Sequence, residues 1–440
     1  MFQTLVNAFK NKDVRKKILI TLALMFVYRL GCWLPIPGIT GETYAGQAGN
    51  SGDILSLLSM ITGGALTNGA FLAIGISPYI NASIIIQLLT VAIPPLERWS
   101  KQGDEGRKKL NKLTRIFTLV LAVAQAIGIV INFSRGDQIS TTVFNVNMKK
   151  WLVCIFVGAI LVAGSMFTMW LGERITEIGV GNGISLLIFV GILSTAGISI
   201  VSVITAWVKG TDQNAPWQLL AFLLLVVVIF AFIVFVDLAE RKIPVHYAKQ
   251  IKGRKQYGGQ TTYIPIKVNA SGVLPIIFST AILSFPQLIM SMFNMDPTKG
   301  FYKFWTNWLG TGKPIYSVLV GLLILFFSFF YAQIQFNAEE VARNIQQYGG
   351  NITGLRPGKQ TSDYLKKINK RLTLFGAIFL AIIAIVPSII FNFVFSSGTS
   401  IALVNAFSST GMLIVVSVAL EFEKQLQSQL MMKQYRGFLK

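Results

Sequence analysis

Ten largely apolar runs constrain this chain more than anything else in it. They cover 18–34, 70–91, 116–133, 151–171, 181–207, 217–236, 273–293, 315–336, 372–393 and 400–420. A hydrocarbon core of roughly 30 Å is crossed by about 20 helical residues. In lipid every backbone polar group must be paired inside its own element, so each run reads as a helix. The expected class is an all-α polytopic membrane protein. Composition agrees: 53% of residues are apolar and 13% charged, about half the usual charged fraction of a soluble domain. The first run is followed by no small-residue cleavage site and reads as a retained span.

Lysine and arginine set the expected orientation. Numbering the runs in order, 31 of the 39 basic residues fall on one side: before residue 18, in 98–115, at Arg174, in 241–267, in 343–371 and beyond 420. Seven fall on the other side, and Arg29 lies inside the first run. The positive-inside rule then places both termini in the cytoplasm, which requires an even number of spans. The same bias explains the net charge of +21 without nucleic acid. Trp33, Trp151, Trp170, Trp207 and Trp217 stand near run ends, as interfacial anchors do.

Residues 51–89 depart from a plain anchor. The stretch Ile54–Leu66 is about 20 Å long as a helix, too short to cross, and is broken by Gly63-Gly64 and Thr67-Asn68-Gly69. It reads either as a space-filling re-entrant helix or as a removable stopper for a pore. The following run, 70–91, is expected to be one spanning helix, yet it carries Pro78, Asn81, Ser83 and Gln87. Polar groups at such depth face protein or a water-filled path. Span seven carries Pro275 and Pro286. Spans two and seven are each the second span of a five-span half (18–207 and 217–420), a pattern expected of an inverted repeat.

The ends and loops are informative. Residues 1–17 read as an amphipathic helix on the cytoplasmic surface, and 421–440 as a cytoplasmic tail. The loop 98–115 reads as a short basic turn contacting anionic headgroups. Gly179, Gly181 and Gly183 follow no strand, so they point to close helix contact or a bend rather than a nucleotide loop. Residues 240–267 read as a hairpin tipped by Gly253-Arg254-Lys255. Residues 337–371 read as a short helix, a Gly/Pro loop around Arg356-Pro357-Gly358-Lys359, and an amphipathic helix entering span nine. Both segments are expected to be docking surfaces, since such basic, Gly-rich tips suit RNA phosphates or acidic protein faces.

No catalytic motif is present, and Cys32, Cys154 and the single histidine, His246, form no metal or disulfide pattern. No cofactor is expected. A secondary transporter would need an ionisable mid-membrane coupling site, and an intramembrane enzyme would need paired catalytic residues at one depth. Neither pattern is visible, so any driving energy is expected from a docked partner.

Four segments then carry a resemblance: GISPYINASIIIQLL (Gly75–Leu89), ITEIGVGNGISLLIF (Ile175–Phe189), ERKIPVHYAKQIKGRKQYGGQTTYIPIKVN (Glu240–Asn269) and GLRPGKQT (Gly354–Thr361). Together they resemble the SecY/Sec61-alpha family, the central subunits of protein-conducting channels. The resemblance implies ten transmembrane helices as two inverted five-helix halves around a central hourglass pore. By motif it implies a pore ring of Ile76, Ile80, Ile184, Ile188, Ile277 and Ile414. It also implies a plug over 54–66, carrying Ile54, Leu55, Leu57, Leu58, Met60, Ile61, Gly63 and Gly64. A lateral gate cluster would comprise Asn81 (often Ser or Thr in the family), Gln125 and Asn269. Motor and ribosome docking would fall to Arg254, Lys255, Arg356 and Lys359. The implied partners are SecE, SecG, the SecA motor, the ribosome, signal sequences and unfolded polypeptides, in a bacterial plasma membrane.

Overall fold

The computed structural model describes residues 2–39, 62–66, 68–135, 139–140, 142–143, 146–147, 149–209, 215–247, 250–252, 255–257, 261–292, 300–310, 313–394 and 409–437. Helix α1 (Phe2–Lys10) stops at Asn11, whose side chain accepts from the Asp13 amide at 3.3 Å and starts α2 (Lys12–Gly31). The amphipathic helix expected over 1–17 is therefore shorter. Lys12–Lys17 belong to the helix of span one, because Asn is a strong N-cap and the chain restarts there.

Span two is also shorter than expected. Residues 70–76 form turns, with Gly75 at φ +59, and α3 begins only at Ser77 (Ser77–Ala92). Pro78 fits the first helical turn, where its missing N–H leaves no gap. At Ile93, with ψ 113, the chain bends by 102° into α4 (Pro94–Lys101). The basic stretch 98–115 is thus mostly helical, because α5 (Asp104–Arg135) already begins at Asp104.

A small antiparallel pair, β1 (Thr142–Val143) and β2 (Val146–Asn147), precedes α6 (Lys150–Ile178) and α7 (Gly183–Val208). Next come α8 (Ala215–Asp237), β3 (Glu240–Tyr247), β4 (Gln250–Lys252), β5 (Lys255–Tyr257) and β6 (Thr261–Lys267). They are followed by α9 (Leu274–Met292), α10 (Gly300–Phe304) with a π-helical turn at Trp305–Leu309, and α11 (Pro314–Gln335). The chain closes with α12 (Ala338–Gln347), β7 (Gly350–Asn351), α13 (Lys359–Val394) and α14 (Ser409–Gly437).

Six of the described helices are long and apolar enough to cross a membrane, or seven if the bent α3–α4 pair is one span. The protein is therefore a multi-pass membrane protein. Helix α8 shows the lipid-facing character most clearly: Leu224, Val227, Val228 and Phe235 are all more than half exposed. The five tryptophans picked out from the sequence are exposed as well, as side chains reaching an interface would be.

Contacts divide the chain into two compact units. One comprises Met1–Leu220, Ala281–Tyr316 and Phe391–Lys440; the other comprises Ala221–Thr280 and Ser317–Ile390. These differ from the halves 18–207 and 217–420, because α14 packs on α7 and α1 in the first unit. There Ala8, Val14, Ile18, Val180 and Leu426 share a core. A second core in that unit joins Ile36, Leu66 and Ile74 to Phe133 of α5 and to Val153, Val157 and Leu161 of α6. In the other unit β3 pairs with β6 from Glu240 opposite Lys267 to His246 opposite Thr261.

Candidate functional site

Five of the six ring isoleucines lie in the first unit. Ile76 is the residue before α3 and is buried; Ile80, one turn on, is half-buried and its N–H donates to the Ile76 carbonyl at 3.1 Å. Their common face follows from the i, i+4 spacing. Ile184 opens α7, where its N–H is held by Asn182 Oδ1 at 3.1 Å, and Ile188 is buried one turn later. A Cβ added at Gly183 would lie 2.0 Å from the Gly172 carbonyl oxygen, so α6 and α7 meet backbone to backbone. Gly181, at φ +94, makes the bend that permits this. The three glycines point in the sequence to close helix contact or a bend; Gly183 makes the first and Gly181 the second. Ile184 packs towards Gly172, with its Cγ1 3.2 Å from where that residue's Cβ would stand. Ile414 is buried on α14; Ile277 is half-buried on α9, in the other unit.

Of the plug residues, Ile54, Leu55, Leu57, Leu58, Met60 and Ile61 lie outside the described residues. Gly63 (φ +69) and Gly64 (φ +84) fall in a run of turns over Thr62–Leu66, in which Thr62 and Leu66 are buried. A hydrogen bond from Ala70 N–H to Ala65 O at 2.9 Å ties this run to the turns over 70–76. Those turns and Gly69 are tied in turn to the end of span one, by Ile36 N–H to Gly69 O at 2.9 Å and Phe71 N–H to Leu34 O at 2.8 Å.

The gate residues divide between the units. Asn81, half-buried on α3, and Gln125, 5% exposed on α5, belong to helices packed along each other in the first unit. Gln125 Oε1 is buried without a partner. Asn269, in the other unit, donates through Nδ2 to Asp237 Oδ1 at 2.7 Å, while its own Oδ1 is buried and unpartnered. Asp237 was missed from the sequence; its signal is a carboxylate closing the long apolar run of α8. A buried unpaired carbonyl costs about 1–3 kcal/mol. Gln125 and Asn269 are thus each left with an acceptor that would be more stable with a donor.

The two long segments 240–267 and 337–371 build one body. The hairpin expected over 240–267 is present: β3 pairs with β6, and β4 with β5 in a register that sets Lys252 opposite Lys255. Arg254 lies outside the described residues. His246 takes a structural role, its Nδ1 3.1 Å from Thr261 Oγ1. Not foreseen was β7, which adds Gly350–Asn351 to the free edge of β3 and joins the second segment to the hairpin's sheet. Ile243, Val245 and Ile266 of the hairpin share a core with Ala338, Ile345, Ile352 and Leu365 of the second segment.

This core fixes the Arg356 loop. The Arg356 N–H donates to Gln360 Oε1 at 3.3 Å, and its carbonyl accepts from the buried Thr361 Oγ1 at 3.0 Å. The backbone is held while the guanidinium stays exposed, and Lys359 opens α13 beside it, also exposed. Lys366 Nζ reaches Glu339 Oε1 at 2.6 Å and ties α13 to α12. The hydrogen bond from Lys366 holds the Glu339 carboxyl below the usual carboxylate range. The same bond raises Lys366. The tie is therefore present through the neutral range. It is lost as pH falls through the Glu339 value or rises through the Lys366 value. Among the described residues no cluster of three His, Cys, Asp or Glu side chains could hold a metal.

Comparison with known proteins adds three findings. A SecY family profile matches residues 70–423. The protein translocase subunit SecY of Corynebacterium glutamicum is 39% identical over 449 residues, covering 99% of each chain. Two solved structures have the same fold over 94% of this chain and 91% of theirs, both at 18% identity. One, at TM-score 0.63, concerns a SecY plug domain that stabilizes the closed state of the translocation channel and maintains a membrane seal. The other, at TM-score 0.62, is Sec61 in the canine ribosome-channel complex from the endoplasmic reticulum.

Proposed function

The chain belongs to the SecY family and is a protein translocase subunit, and from that premise we propose how its residues divide the work. Its ten apolar runs form two inverted five-helix halves around an hourglass pore. Unfolded secretory polypeptides pass through that pore across a bacterial plasma membrane, and transmembrane segments leave sideways into lipid. Both termini face the cytoplasm. The observation that carries the reading is the match to SecY relatives over essentially the whole chain.

Ile76, Ile80, Ile184, Ile188, Ile277 and Ile414 form the waist. A narrow apolar constriction excludes ions by dewetting and still widens around a chain. The segment 54–66 plugs it from the outer side. Asn81, Gln125 and Asn269 line the lateral gate. Side-chain hydrogen bonds between spans are worth only about 0.6–2 kcal/mol each, so such a seam yields to an arriving apolar segment. The buried, unpartnered acceptors on Gln125 and Asn269 support this assignment. Arg254, Lys255, Arg356 and Lys359 dock SecA or the ribosome, which supply the drive, and SecE and SecG complete the complex. The order of the Arg356 loop supports this role.

The test places a cysteine at Ile80, in a chain whose Cys32 and Cys154 are replaced, against a stalled secretory polypeptide carrying its own cysteine. The expected result is a crosslink whose position moves along the polypeptide as its length changes. A polypeptide that engages the complex yet never crosslinks there would make the isoleucines ordinary core.

A further inference from the structure

Arg29 is the only charged residue in the apolar run 18–34. A charge within an apolar run needs a partner or a path to water. Among the described residues Arg29 makes no ion pair. Its Nη1 donates instead to the Gly63 carbonyl at 3.3 Å. Gly63 is wedged at that point: a Cβ on it would stand 2.4 Å from Arg29 Nη1 and 3.1 Å from the Gly191 carbonyl oxygen of α7. Its φ of +69 is the left-handed conformation that glycine adopts without strain. One residue upstream, Thr62 packs against Gly75, where an added Cβ would come within 2.7 Å of the Thr62 methyl. The Gly75 carbonyl is itself held by the buried Ser165 hydroxyl at 3.1 Å. The turn Thr62–Leu66 is therefore seated between α2, α7 and the start of α3. Arg29 is the charged group that reaches it from span one.

We propose that Arg29 is a positioning residue that latches the turn Thr62–Leu66 to span one and thereby keeps the resting pore closed to ions. The proposal rests on the plug reading above. A hydrogen bond from a guanidinium to a carbonyl is stronger than a neutral one, so its loss favours the released turn by roughly tenfold or more. The charge also works in the return direction. A released turn strands an unpaired guanidinium in the apolar run, and reseating the turn relieves that cost.

The experiment measures iodide influx into vesicles carrying the complete purified complex, with thermal midpoint and precursor translocation measured in parallel. Arg29→Gln and Gly63→Ala are each expected to raise resting influx several-fold, with Arg29→Lys, which keeps a cationic donor, near the parent. Deleting 54–61 is expected to raise influx as well. Arg29→Gln is expected to add nothing to that deletion, because both act through one element. If the deletion leaks while Arg29→Gln and Gly63→Ala stay at the parental level, the latch is wrong and the plug stands. Additive effects would assign Arg29 to general packing and overturn the latch in the same way. A deletion without effect removes the plug reading, and the latch with it.

Discussion

Arg356 shows what a single side chain can be asked to do here. Its backbone is fixed from both sides, by Gln360 and by the buried Thr361, while the guanidinium extends into solvent with no ion pair among the described residues. Reversing its charge therefore leaves the loop's own bonds in place. Arg356→Glu is expected to abolish motor-driven translocation of a precursor into vesicles, with the thermal midpoint and the partner content of the complex unchanged. Parental translocation by that variant would remove Arg356 from the docking role. The loop that carries it was legible in the sequence, because a Gly/Pro-rich basic stretch is a local pattern. The partner of Asn269 was not: Asp237 stands 32 positions away, and nothing local to either residue points to the other.

Elements were legible in proportion to how local their causes are. The hairpin follows from β-forming residues on either side of the Gly253-Arg254-Lys255 sequence, and α12 from the Asn337 cap, whose Oδ1 accepts from the Glu339 and Glu340 amides. Strand β7 has two residues and no pattern of its own; it exists because the edge of β3 offers unpaired backbone groups to it. The expected consequence is mechanical coupling between the segments 240–267 and 337–371. Leu365, fully buried in their shared core, tests it. Leu365→Ala is expected to cost about 2–5 kcal/mol of local stability. Amide protection should fall in β3 and β6 as well as in α13 when hydrogen exchange is followed on the reconstituted complex. Loss confined to α13 would mean two independent loops. The start of α3 was misplaced for a related reason: apolar composition runs unbroken from 70 to 76, but the conformation there is set by Gly75 and by the ties to span one.

For the whole molecule, the 31-to-seven division of basic residues fixes an expected sidedness. Gln427 and Lys303 are both exposed and belong to opposite sides of that division. In right-side-out vesicles a cysteine at Lys303 should react with an impermeant maleimide, and one at Gln427 only after permeabilisation; the reverse pattern would invert the topology. That prediction comes from sequence alone, as do the membrane class, the helical spans and the family. Lipid leaves a backbone few alternatives, so apolar length and loop charge suffice for the first two, and motifs spread along the chain suffice for the third. Tertiary structure decided where α3 begins, that α14 packs with α7 and α1, that β7 ties two segments into one body, and that Arg29 meets Gly63. Each of these depends on backbone and side-chain groups brought together from distant positions, where steric fit and hydrogen-bond geometry choose the partner and local pattern is silent.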